Sequence, residues 1–202
     1  NGGNILLYYI AKFILLPFLF LFFRPRVSGR ENLPEEGSVI IYSNHTSLLD
    51  PITLGCFLPR RIYFMAKQEL FRFPPMRVLL RGLGAFPVKR GSADITAIKR
   101  ALQTLKDGKV FGIFPEGTRN KGSGLQEFNH GTAAIAHKSH AVTIPVAIFG
   151  GYRLFRSIRV IIGKPLDFES YYGQKVSSEL LEKMSSEMSD AVLQIASRQT
   201  GS

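Results

Sequence analysis

The sequence predicts an α/β fold: a mixed, mostly parallel sheet flanked by helices, with an apolar N-terminal helical segment that anchors in a membrane. Three observations predict it. Short β-branched and aromatic runs alternate with stretches whose apolar residues recur at helical spacing, the pattern of strands covered by helices on both faces. The first two dozen residues are almost wholly apolar. The rest is long enough to bury about 70% of its unfolded surface in one domain without disulfide staples, and the single cysteine, Cys56, offers none.

The anchoring segment is expected over residues 4–27 and the single domain over 28–202. Ile5 to Phe23 is interrupted only by Lys12 and Pro17. As a helix it would be about 28 Å long, close to the ~30 Å of a hydrocarbon core. A central lysine costs roughly 2.5–3.5 kcal/mol on insertion, which a dozen or so Leu, Ile and Phe at about −0.3 to −0.6 each outweigh. Composition therefore places the segment in lipid, either spanning it or entering one leaflet. No small-residue cleavage site follows. Arg24, Arg26 and Arg30 come next and favour the cytoplasmic face of the cell membrane for the domain.

Beyond a turn at 32–37, strands are expected at 38–43, 62–66, 85–88, 110–114, 142–149 and 158–163. Helices are expected at 50–58, 75–82, 94–106, 131–139 and 177–197. Within 94–106, Ile95, Ile98, Ala101, Leu102 and Leu105 share one face, and Gly108 stands where a helix stops. In the last helix Leu180, Leu181, Met184, Met188, Ala191, Val192 and Ile195 form the apolar face, with Ser177 or Ser178 as its cap. Between them, residues 70–87 mix aromatics with cations, a composition open to lipid contact, a lining of an apolar tunnel, or packing on the sheet.

Net charge is +11 and uneven. Residues 1–166 hold 23 Lys/Arg against 9 Asp/Glu, whereas 167–202 hold 3 against 6. Such a surface suits an anionic membrane surface, a phosphorylated substrate or an acidic carrier protein. Nucleic acid is not expected, because no recognition module or basic strand interleaved with aromatics is present. Cys56 reads as a small core residue in a reducing compartment. His130, His137 and His140 lack cysteine partners and His-Glu-x-x-His spacing, so no metal is expected. Without a Gly-rich dinucleotide fingerprint or a Walker loop, no cofactor is expected either.

Two stretches carry chemistry. Asn44-His45-Thr46-Ser47-Leu48-Leu49-Asp50-Pro51 follows the apolar run 39–42 and leads into a helix. Five residues is too long a step for one helix face, so Asp50 must reach back across a bend if it is to meet His45. A neutral imidazole then takes a proton while the carboxylate fixes its tautomer. The alternative is a helix-capping Asp before Pro51, beside a surface histidine. The second stretch, Phe114-Pro115-Glu116-Gly117-Thr118-Arg119, closes strand 110–114 with a glycine, a hydroxyl and a guanidinium suited to phosphate oxygens. Glu116 beside Arg119 also reads as a salt bridge orienting it.

Together these stretches resemble the glycerophospholipid acyltransferase family, bacterial 1-acylglycerol-3-phosphate acyltransferases in particular. Gly84-Ala85-Phe86-Pro87-Val88-Lys89-Arg90 and Val142-Thr143-Ile144-Pro145-Val146-Ala147 match two further blocks in order, so the resemblance covers about residues 28–165. At Phe128-Asn129-His130-Gly131 relatives often carry a lysine before the glycine, and this chain departs from that pattern. The resemblance implies helices around a mixed sheet and transfer of a fatty acyl group from acyl carrier protein or coenzyme A to the sn-2 hydroxyl of lysophosphatidic acid, giving phosphatidic acid. It implies His45 as general base oriented by Asp50, with Lys89, Arg90, Glu116, Gly117, Thr118 and Arg119 around the substrate phosphate and Pro145 in an acyl-chain or structural role. Acylation of glycerol 3-phosphate or another lysophospholipid, thioester hydrolysis, and lipid binding without turnover remain open alternatives.

Overall fold

The structure, a computed structural model, describes residues 5–89, 94–120 and 125–200. Its centre is β2 (Val39–Ser43), whose five residues are all buried. Side chains alternate across a strand. Val39 and Ile41 therefore enter one apolar core while Ile40 and Tyr42 enter the other. A strand covered on both faces reads as a continuous apolar run, as this one does.

Around β2 the order is β1-β7-β6-β2-β5-β3-β4, where β1 is Arg26–Ser28, β3 Ile62–Lys67, β4 Phe86–Val88, β5 Val110–Ile113, β6 Val142–Phe149 and β7 Arg159–Ile162. Every neighbouring pair is parallel except β6 with β7. The mixed, mostly parallel sheet of the sequence reading is thus present. β1 was not foreseen. Three residues are too few to show alternation, and the expected boundary after residue 27 falls inside this strand.

The first apolar core packs under α4 (Ile95–Lys106), α5 (His130–Ser139), α6 (Glu169–Tyr172) and α7 (Ser178–Thr200). Ser177 caps α7, its hydroxyl accepting the Leu180 amide at 3.1 Å. Met184, Met188 and Val192 are buried beneath that helix. The second core lies under α1 (Ile5–Phe23) and α2 (Asp50–Phe57). Cys56 sits there, buried and unpaired.

The α1 helix runs on through Pro17 and is docked, not free. Tyr8, Ala11, Leu19 and Phe23 are buried. The Tyr8 hydroxyl donates to the Gly55 carbonyl at 2.9 Å and the Lys12 ammonium to the Leu58 carbonyl at 3.0 Å. Lys12 thereby satisfies an end carbonyl of α2, where a cation also suits the helix dipole. Its other side stays exposed: Phe13 is 81% accessible, and Ile5, Leu6, Tyr9, Ile14 and Leu21 are exposed with it. Alongside lies α3 (Pro74–Gly82), where Gly82 leaves room for the Leu7 side chain. Phe73, Met76, Val78 and Leu79 are exposed there, whereas Phe71 is buried.

Because β2 to β6 all run one way, their carboxyl ends share one edge of the sheet. The chain leaves β2 for β3 and later returns to fill the gap with β5. A crevice opens where strand order reverses in this way.

Candidate active site

At that edge Asn44 comes first after β2. Its amide donates to the Ile148 carbonyl at 2.9 Å and accepts the Ile148 amide at 2.8 Å, so the side chain imitates one more residue of sheet pairing between β2 and β6. The next backbone position is clamped from the other side. The His45 amide donates to Oε1 of Glu116 at 2.7 Å, and the His45 carbonyl accepts the Asn120 amide at 2.7 Å.

The imidazole and the carboxylate do meet. Nδ1 of His45 lies 2.9 Å from Oδ2 of Asp50, and both residues are buried, at 7% and 0% exposure. Asp50 opens α2 with Pro51 behind it, and its side chain turns back over the loop. The same Oδ2 accepts the amides of Thr46 at 2.7 Å and Ser47 at 2.8 Å. That turn is what lets a five-residue step bring the two groups together. A carboxylate offers only acceptors, so Nδ1 carries the proton of this bond, and in the neutral ring Nε2 is the nitrogen with the lone pair.

Stacking fixes the ring plane. Phe114 lies 4.1 Å from the imidazole, centroid to centroid and nearly parallel, and Phe64 stacks behind Phe114 at 5.9 Å. Phe64 needs the space above Gly112, where a Cβ would stand 2.3 Å from its ring. The glycine in β5 therefore serves the histidine two residues removed in the stack.

A cavity of about 720 Å³ opens beside the pair. His45, Thr118, Arg119 and Asn129 line it, as do Lys12, Lys67 and Asp94, and its apolar walls include Tyr8, Leu15, Ile52, Leu80 and Leu83. Leu70, Leu80, Leu83 and Ala85 line it, so part of the 70–87 stretch forms a wall of the cavity while Phe73 and Val78 face out. A mostly apolar space with a few polar groups in its lining suits a ligand with a chain and a charged head.

The remaining sequence candidates divide. Thr118 and Arg119 are exposed at the cavity, as a phosphate would require. Gly117 has φ +69°, a conformation glycine adopts without strain, and this turns the chain between Phe114 and Arg119. Glu116 spends its two oxygens on the His45 and Gln126 amides, at 2.7 and 3.3 Å. Its carboxylate holds backbone, and among the described residues it makes no ion pair with Arg119. Lys89 is exposed after β4, its amide bonded to Asp94, and its side chain is not among the cavity walls. Arg90 lies outside the described residues. Pro145 sits buried in the middle of β6, opposite Tyr42 and against Gly163, and is a sheet residue away from the cavity.

The other histidines serve the scaffold. His137 is buried, with Nε2 3.0 Å from the Tyr171 carbonyl. His140 ends α5 in the left-handed region and stacks on Tyr172 at 4.2 Å. Among the described residues no group of three His, Cys, Asp or Glu is placed to hold a metal. Asn44, Phe114 and Asn120 went unassigned in the sequence reading, because their partners lie on other strands and loops.

A doubly covered, mostly parallel sheet with a buried imidazole–carboxylate pair at its carboxyl edge defines the class, an α/β protein with a polar site at the rim of its sheet. The family model described as "Acyltransferase" matches residues 24–149, and the chain belongs to that family. It is 33% identical over 179 residues to the 1-acyl-sn-glycerol-3-phosphate acyltransferase of Bacillus subtilis, covering 86% of this chain and 88% of that protein. The enzyme of the same name from Borreliella burgdorferi is 32% identical over 64% of this chain, which spans about half (52%) of that longer relative. The crystal structure of the 1-acyl-sn-glycerophosphate (LPA) acyltransferase PlsC from Thermotoga maritima matches with a TM-score of 0.73 and 30% identity, covering 94% of this chain and 79% of that one.

Proposed function

We propose that this enzyme moves a fatty acyl group from an acyl thioester to the sn-2 hydroxyl of 1-acylglycerol 3-phosphate, forming phosphatidic acid and a free thiol. Nε2 of His45 takes the hydroxyl proton as the oxygen attacks the thioester carbonyl. The tetrahedral adduct then collapses, the carbon–sulfur bond breaks, and the leaving thiolate receives the proton back from the imidazolium. Asp50 keeps Nδ1 protonated and steadies the transient positive charge. Thr118 and Arg119 hold the phosphate, and the apolar cavity takes an acyl chain.

One observation carries this reading: the 2.9 Å His45–Asp50 contact belongs to an imidazole that lines a mostly apolar cavity together with Thr118 and Arg119. Transfer without an acyl-enzyme is supported by the neighbouring candidates. The Ser47 hydroxyl accepts the Leu49 amide inside the turn, and Ser43 is fully buried against Asn44. Cys56 lines the cavity, but burial pushes its thiol up to about 11, leaving it protonated at neutral pH.

In the same reading, residues 4–27 hold the catalytic domain, 28–202, at the cytoplasmic face of the membrane. The docking of Tyr8 and Lys12 supports a helix lying in one leaflet, since spanning would drag the end of α2 into hydrocarbon with it. The test is a matrix of acceptors against donors in liposomes. Lysophosphatidate with acylated acyl carrier protein or acyl-coenzyme A should give phosphatidic acid at least tenfold faster than glycerol 3-phosphate or lysophosphatidylcholine is acylated. Fatty acid release independent of acceptor would instead make the protein a thioesterase.

A further inference from the structure

Asp50 leaves one account open. Its Oδ2 serves the imidazole and two amides, yet Oδ1 is buried in a residue with 0% exposure and has no hydrogen-bond partner among the described residues. A buried carboxylate oxygen without a donor is costly. Thr53 stands three residues on along α2, hence on the same helix face as Asp50. Its hydroxyl lies 3.0 Å from that of Tyr152, which reaches in from the loop after β6. The Tyr152 ring is held edge-on by Phe23 of α1, centroids 5.5 Å apart.

We infer that Tyr152 is a positioning residue for the acid–base pair: Thr53 donates to the Tyr152 hydroxyl, and that hydroxyl donates to Oδ1 of Asp50. The inference rests on the proposed role of His45 and Asp50 and deepens it. A chain Thr53 → Tyr152 → Asp50 ← His45 pins both carboxylate oxygens, so the carboxylate cannot rotate away from Nδ1. Burial, and then the nearby Asp50 charge, drive the Tyr152 phenol well above its ordinary range, so the hydroxyl keeps the proton it must donate. The ionisable groups that act on the pair are Tyr152, whose phenol lies within the field of the Asp50 carboxylate, and, through the His45 amide, Glu116. Lys12, Lys67, Asp94 and Arg119 line the same cavity.

The consequence for pH has a definite sign. A donor on Oδ1 draws off part of the carboxylate's charge. Removing it concentrates that charge toward the imidazole, favours imidazolium, and moves the acid limb of the rate profile to higher pH.

The experiment compares full-length Y152F, T53S, T53V and the Y152F/T53V pair with the parent protein, following kcat, both KM values and kcat/KM against pH with lysophosphatidate and an acyl thioester. Y152F keeps the ring on Phe23 and should melt within a few degrees of the parent. Its kcat should fall about tenfold, with both KM values within about twofold and the acid limb raised by about half a pH unit. T53S should resemble the parent, T53V should lie between, and the double variant should be no slower than Y152F alone. Parent-like kcat and acid limb in Y152F overturn the inference. So does a rate loss that leaves the acid limb in place and adds independently to that of T53V, which would mark simple packing. His45→Ala run alongside separates the two readings: an active His45→Ala removes the pair itself, whereas an inactive one with an unaffected Y152F removes only the role of Tyr152.

Discussion

The floor of the cavity and its roof are built on opposite plans. On the floor His45 lines the cavity, with Asn44, Asp50 and Glu116 bonded around it, and His45 is held at its amide, its carbonyl, its Nδ1 and its ring face. On the roof, α1 and α3 touch the domain along one side and leave Phe13, Leu21, Phe73 and Val78 to the outside. The contrast separates two demands. Proton transfer needs atoms fixed to within a fraction of an ångström. Access for a lipid needs an apolar surface continuous with the membrane, where fixed geometry contributes little.

That difference can be broken first on the floor. Glu116→Ala leaves the buried His45 amide unpaired and should lower kcat about a hundredfold, with destabilisation of about 1–3 kcal/mol. Glu116→Gln keeps an acceptor for that amide and should retain most of the activity. A steady-state comparison decides between backbone clamp and headgroup contact: if the Gln variant is as impaired as the Ala variant through a raised KM for lysophosphatidate, Glu116 acts by its charge on substrate.

On the roof the effect should be smaller and of another kind. Phe13→Glu puts a charge at the most outward position of α1 and should weaken cosedimentation with vesicles of phosphatidylglycerol and phosphatidylethanolamine several-fold. Turnover of detergent-dispersed substrate should stay within about twofold. Equal loss in both assays would mean that α1 shapes the site and not its approach.

The plan of the sheet was legible because strands buried on both faces announce themselves as apolar runs, and the helices because their periodicity and caps agree. Gly108 ends α4 with φ +68° as its position suggested. The His45–Asp50 contact was legible for a narrower reason: the spacing alone also fitted a helix-capping Asp, and the Phe114–Arg119 stretch with the family resemblance pointed to the pair. What stayed hidden depends on partners far along the chain. Glu116 looked like a substrate or Arg119 ligand, yet it answers an amide 71 positions away. The resemblance put Lys89 at the substrate phosphate, a role that its place outside the cavity walls does not itself supply. β1 was too short to signal itself, and Tyr152, a tyrosine between glycines and a loop, carries no local mark of the carboxylate it faces.

The central claim is that one imidazole removes the acceptor's proton. His45→Ala, measured for phosphatidic acid formation at saturating lysophosphatidate and acyl thioester, tests it most directly. Turnover should fall by about 10²–10⁴ with lysophosphatidate binding preserved. Turnover near that of the parent protein, or an acyl group trapped covalently on Ser47, would contradict the account.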